Sequence, residues 1–306
     1  MKIPAGRVLV CCAALLVVLL AQGAAPAAAR AVAAAEVPEV RAALEEGARL
    51  LERKDYRAAV KVLKHADELA GGHCGVCLLG LARALEGLER FELAIGVVRD
   101  AAEALGDDPL AAKAYLELGG LLLARHHPGD VEEAEQAFGR VTRGSDRAAA
   151  LSGMAVVRLR QRRYLEAVEA AREVLRVDVH GPVGRQARVA LCLARNAGSV
   201  PGPAAESSDS PRRVEGPVEK PRKLYAPLPR YSENARRART QGMVIFEAIL
   251  DGEGCVTSIH ILKRLDRDLD SNALEAVKNW VFEPAKLDGK PVKVYYTLTV
   301  TFEVQR

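Results

Sequence analysis

Residues 269–292 read LDSNALEAVKNWVFEPAKLDGKPV, and the fold of the C-terminal part of the chain turns on this stretch. Leu269, Ala273, Ala276, Val277 and Trp280 recur at helical spacing and form one apolar stripe. Trp280 is the only tryptophan and closes that stripe. Pro284 is expected to stop the helix, because an interior proline has no amide to donate and clashes with the preceding turn. Asp288-Gly289 makes a turn, and Pro291 leads into a strand over 292–304. On that strand Val292, Val294, Tyr296, Leu298, Val300, Phe302 and Val304 share one face, while Lys293, Tyr295, Thr297, Thr299, Thr301 and Glu303 share the other. Period-two alternation of β-branched and aromatic residues predicts a half-buried strand.

Just upstream, 231–239 reads as a short helix with Ser232 as N-cap, ended by Gly242. Met243 to Leu250 is an expected strand, Asp251-Gly252-Glu253-Gly254 a tight turn, and Val256 to Leu262 a second strand, which together make a hairpin. The order helix, strand, strand, helix, strand predicts a three-stranded antiparallel sheet with the Trp280 helix on one face. The overall fold class expected is α+β.

The region 38–196 is helical in its periodicity, and it repeats. Gly47, Ala82, Gly119 and Ala155 are small residues about 35 to 37 positions apart. Ala59, Ala94, Ala134 and Ala167 form a second series, followed four residues later by Leu63, Val98, Phe138 and Ala171. Short turns precede each second helix, at Lys54-Asp55-Tyr56, Glu89-Arg90-Phe91, Pro128-Gly129-Asp130 and Arg163-Tyr164. The region resembles about four tetratricopeptide (TPR) repeats, with Gly181 to Arg195 as a capping helix. Such arrays offer a concave face, so a second protein or peptide in the TPR groove is an expected partner, and a rigid spacer is the plain alternative.

At the N-terminus Lys2 and Arg7 precede the apolar run Val8 to Ala21, and Ala27-Ala28-Ala29 supplies small residues. Residues 1–29 therefore read as a signal peptide or, if uncleaved, a membrane anchor over 8–29, and place the chain in the periplasm. From 197 to 223 proline, glycine and serine dominate, which predicts a linker before a domain at 224–306. The net charge of +4 and the absence of aromatics among the linker's basic residues argue against nucleic acid. Cys74 and Cys77 form a CxxC at the start of a repeat helix, and in an exported chain they are a candidate disulfide. Leu78 stands where haem attachment needs histidine, and no second CxxC completes a zinc site. Cys192 and Cys255 read as isolated small hydrophobes. No nucleophile, acid–base or phosphate-loop motif occurs, so neither an enzyme nor a cofactor is expected.

From about Pro227 onward the chain resembles the C-terminal domain of TonB, the energy transducer of bacterial outer-membrane transport. The residues carrying the resemblance are Pro229-x-Tyr231, Ala235, Gly242, Asp251-x-x-Gly254-x-Val256, then Leu269-Asp270, Ala273, Ala276-Val277, Trp280, Phe282 and Pro284-Ala285, and last Gly289-x-Pro291-Val292. Ser232 departs from the family, which usually has proline there. The resemblance implies a binding module that takes the TonB box of a TonB-dependent outer-membrane receptor as an added strand. The expected docking residues are Val294, Tyr295, Tyr296, Thr297, Leu298, Thr299, Val300 and Thr301, with Pro229, Arg230 and Tyr231 nearby. Self-pairing of that edge in a homodimer, within an envelope scaffold without a transport role, is the alternative. The resemblance also implies inner-membrane motor proteins as partners. The family couples to that motor through a serine and a histidine on its membrane helix, and Val8 to Ala21 contains neither.

Overall fold

The computed structural model describes residues 37–200 and 210–303. The expected leader at 1–29 and Val304 lie outside the described residues. Among the described residues no helix is long and apolar enough to cross a membrane. The fold is α+β, with TPR-like helical repeats followed by a small sheet domain. The chain divides into two compact units, one running to Val141 and one starting at Thr142.

The first unit contains α1 (Pro38–Glu52), α2 (Tyr56–Leu69), α3 (Gly75–Gly87), α4 (Phe91–Leu105), α5 (Ala111–Arg125) and α6 (Asp130–Gly139). Each helix packs on the next, and α1 also reaches α3. The small residues allow the close approach. A Cβ on Gly47 would stand 2.5 Å from Leu63 Cδ2, and one on Gly119 would stand 2.5 Å from Phe138 Cζ. Ala59, Ala94 and Ala134 are wholly buried on the partner helices. At the α5–α6 turn the buried Asp130 carboxylate accepts from the Arg125 guanidinium and from the His127 amide at 2.7 Å. Those donors, Arg125 foremost, hold its carboxyl below the usual range. Cys74 and Cys77 are bridged at the start of α3.

The second unit begins with α7 (Arg147–Arg160), α8 (Tyr164–Val177) and α9 (Pro182–Gly198). The sheet domain follows: β1 (Arg212–Arg213), β2 (Arg222–Tyr225), α10 (Glu233–Arg237), β3 (Gly242–Leu250), β4 (Val256–Lys263), α11 (Arg267–Lys278), β5 (Val281–Glu283), β6 (Lys286–Leu287), β7 (Lys290–Pro291) and β8 (Val294–Phe302). The main sheet runs β1-β8-β3-β4, and β2 pairs with β5 beside it. Asp266 starts α11 by accepting from the amides of Asp268 and Leu269 at 3.0 and 3.2 Å. Leu269, Ala273 and Val277 of α11 join Phe246, Leu298, Val300 and Phe302 in one core. Trp280 Nε1 donates to Pro227 O at 3.2 Å, and Lys223 Nζ lies 3.8 Å from the indole centroid. Burial pushes the Lys223 ammonium pKa down.

Three expectations are corrected. Helix α11 ends at Lys278, well before Pro284, because Val281–Glu283 extends to pair with β2. The described part of the 197–223 linker is not a free spacer: β1 and the start of β2 fall within it, and Val214 and Val218 pack on the core. Cys192 and Cys255 are not isolated: they form a disulfide across a separation of 63 residues.

Around that disulfide, arginines of α8 and α9 grip the Asp251–Gly254 turn. Arg195 Nη1 donates to Asp251 Oδ2 and Glu253 Oε2, both at 2.7 Å. Arg172 Nε donates to Glu253 Oε1 at 2.8 Å, and Arg188 Nη1 to the Glu253 carbonyl at 2.6 Å. Arg188 and Arg195 are only 3% and 7% exposed, so these contacts replace part of the hydration the charges have lost, and the Nε of each is left without a hydrogen-bond partner among the described residues. Burial pushes the Arg188 pKa down. Asp251 Oδ1 accepts from the amides of Glu253 and Cys255 at 3.0 Å each, which fixes the turn. Gly254 sits at φ +85°, and a Cβ there would stand 1.9 Å from Phe282 O, so only glycine fits.

Two outcomes are expected. Replacing Cys192 and Cys255 together by serine should lower stability by roughly 4 kcal/mol, the chain-entropy value for a loop of this length. Urea denaturation followed by Trp280 fluorescence measures it. Asp178 accepts from the amides of Gly181 and Gly184 at 2.6 and 2.8 Å and so caps α9. Those donors, Gly184 foremost, hold its carboxyl below the usual range. A depressed folded pKa stabilises above the unfolded value near 4, and the effect fades as pH falls through the folded value. Asp178→Ala should therefore cost about 1 kcal/mol at pH 7. The gap to wild type in urea denaturation should close as pH drops below about 4.

Candidate partner-binding edge

Strand β8 owes its place to its own alternation. The side chains of Val294, Leu298, Val300 and Phe302 are buried against α11, while Thr297, Thr299 and Thr301 are exposed on the outer face. Its ladder to β3 is antiparallel and unbroken, from Gly242↔Phe302 to Leu250↔Val294. On its other side β8 meets only β1, in parallel, through Arg212↔Val294 and Arg213↔Tyr295. The Arg212 amide donates to Lys293 O at 2.9 Å, which shows that Lys293 turns its carbonyl away from β3.

Main-chain polar groups of successive strand residues point to opposite sides. Tyr295, Thr297, Thr299 and Thr301 therefore turn theirs the same way as Lys293, away from β3. Among the described residues no strand pairs with Thr297 to Phe302 on that side. This is an open edge: a row of donors and acceptors that a further strand can use. Where β1 stops, Arg213, Glu215, Lys220, Glu247, Tyr295 and Thr297 line a shallow cleft. Arg213 Nη1 lies 3.8 Å from Glu247 Oε1, and its guanidinium stands 5.8 Å from the Tyr295 ring centroid.

The candidate residues thus separate into groups. Val294 and Tyr295 are covered by β1. Tyr296, Leu298 and Val300 direct their main-chain groups to β3. Thr297, Thr299 and Thr301 carry the open row. Tyr231 is built into the core at the Phe302 end: its ring meets that of Phe302 edge-on at 5.6 Å, and its hydroxyl donates to Thr240 O. Asn272 Nδ2 donates to Arg230 O at 2.9 Å. Pro229 and Arg230 lead into this same anchored turn. The sequence reading missed Arg212 and Arg213. A two-residue strand has no alternation to detect, and the usable signal was the nearby valines, Val214 and Val218, in an otherwise polar stretch.

The open row makes a direct check. Thr297→Pro removes only an outward-facing amide, so it should lower stability by no more than about 1 kcal/mol. Leu298→Pro removes a rung of the β3 ladder and should cost about 3 kcal/mol or more. Thermal unfolding of the two variants side by side measures the difference.

The family model described as Gram-negative bacterial TonB protein C-terminal matches residues 227–304. Protein TonB of Vibrio cholerae serotype O1 is 36% identical over 90 residues, which are 29% of this chain and 37% of that protein. The chain thus spans little more than a third of that relative's length. Among solved structures, a Podosopora anserina putative kinesin light chain with nearly identical TPR-like repeats aligns at 18% identity and TM-score 0.45, over 54% of this chain and 89% of its own. MamA protein aligns at 18% identity and TM-score 0.44, over 53% of this chain and 84% of its own. The three long strands and α11 fall inside the matched stretch, and β1 falls outside it: residues 227–304 are similar to the C-terminal domain of TonB proteins, and the segment before them is not part of that match.

Proposed function

We propose that this chain is a periplasmic, envelope-associated binding protein of TonB type. Its sheet domain takes the TonB box of a TonB-dependent outer-membrane receptor as an added strand along Thr297, Thr299 and Thr301, in support of energy-coupled transport. The observation that carries this reading is the unpaired main-chain row of β8, in a segment similar to TonB C-terminal domains. Strand addition suits such a row because the affinity comes from main-chain bonds and asks little of side chains. The exposed threonines set few steric demands. The helical repeats are read as the docking face for a second protein or peptide, and they make this chain a link between a receptor and that partner. Direct coupling to an inner-membrane motor is the least supported part of the reading, because the leader carries neither the serine nor the histidine the family uses.

The test is a titration of the isotope-labelled full chain with a synthetic TonB-box peptide. The amides of Thr297, Thr299 and Thr301 should shift and gain exchange protection, and Thr297→Pro should abolish the effect. Unmoved amides at those three positions would sink the receptor reading. A concentration-dependent shift without peptide, together with a doubled mass in light scattering, would favour self-pairing of the same edge.

A further inference from the structure

The strand that already sits on the edge gives a further inference, which rests on the strand-addition reading above. We propose that Arg212-Arg213 is an internal competitor for the docking row: a short extended segment binds beside it, and a longer one binds only by displacing it. The two occupy one continuous row. Arg212 bonds to Lys293 O, and the same side of β8 continues through Tyr295 to Thr297, Thr299 and Thr301. A ligand confined to Thr297–Thr301 leaves the two rungs of β1 in place, whereas one that extends to Lys293 needs the place β1 holds.

The β1 strap pairs over two residues only, and both are exposed. Its Arg213–Glu247 contact is 3.8 Å long, with the arginine side chain 70% exposed. Exposed pairs of this kind contribute little, and each main-chain bond adds about 1 kcal/mol net. Just downstream the chain is held firmly. Val214 and Val218 pack on the core, the Glu219 amide donates to Lys286 O at 2.8 Å, and β2 pairs with β5. Arg212-Arg213 can therefore leave the edge while the segment after it stays in place. The strap lies upstream of the residues 227–304 that the family model matches. Its parallel direction shows one polarity in which the row accepts main-chain bonds.

The experiment uses the full chain and two synthetic peptides copied from the TonB box of an outer-membrane receptor, about five and about nine residues long, to match Thr297–Thr301 and Lys293–Thr301 at one residue per rung. Hydrogen exchange reads the Arg212 amide in the unmodified protein, and calorimetry reads Kd for wild type and Arg212→Pro, which lacks the donor to Lys293. The longer peptide should expose the Arg212 amide to exchange and the shorter one should leave it protected. Arg212→Pro should tighten the longer peptide about fivefold, the value of one main-chain bond, and leave the shorter within about twofold. If both peptides bind, but Arg212 stays protected and Arg212→Pro changes neither Kd, the competitor proposal is overturned and strand addition stands. If neither peptide binds wild type or variant, strand addition fails, and the competitor role fails with it.

Discussion

A strand carries two rows of main-chain donors and acceptors, and in β8 one neighbour can satisfy only one of them. β3 takes the inner row along its whole length. The outer row is met by β1 at Lys293 and Tyr295, and among the described residues by no strand thereafter. The rest of the sheet domain serves to keep β8 in that position. α11 covers its buried face, Trp280 ties the segment before α10 to the core, and β4 sits on the far side of β3. Each of these contacts fixes which row faces inward, and so which row remains for another chain.

The clamp on the Asp251–Gly254 turn gives the second unit its extent. Buried arginines are costly unless they are matched, and here the match comes from the hairpin turn of the sheet domain and not from the helices alone. The arrangement also explains two residues of the TonB-like pattern in physical terms. Asp251 accepts from two turn amides, and Gly254 stands where a Cβ would strike the Phe282 carbonyl. The carboxylates and Cys255 form a tight group, yet the arginines and the disulfide already occupy their ligand atoms.

Much of this architecture was legible in the chain. Alternation from Val294 to Phe302 fixed the face of β8, and Asp251-Gly252-Glu253-Gly254 fixed the hairpin. The small-residue series marked the close helix contacts at Gly47 and Gly119. What escaped was tertiary. The pairing of Cys192 with Cys255 depends on how α9 meets the sheet domain, and no local pattern encodes it. The burial of Arg188 and Arg195 likewise depends on the turn that α9 meets in the sheet domain. Pro284 was credited with ending a helix that had already turned into β5 at Val281. The two-residue strand beside Val294 and Tyr295 was not legible, because composition made 197–223 look like a spacer.

The Cys192–Cys255 bond has a mechanical consequence. It links the last repeat helix to the hairpin turn covalently, across a sequence separation of 63 residues. Tension applied to the hairpin has a route into α9 that bypasses the intervening polypeptide, and the arginine contacts share that load. A tug on the hairpin thus reaches α9 through the covalent bond directly.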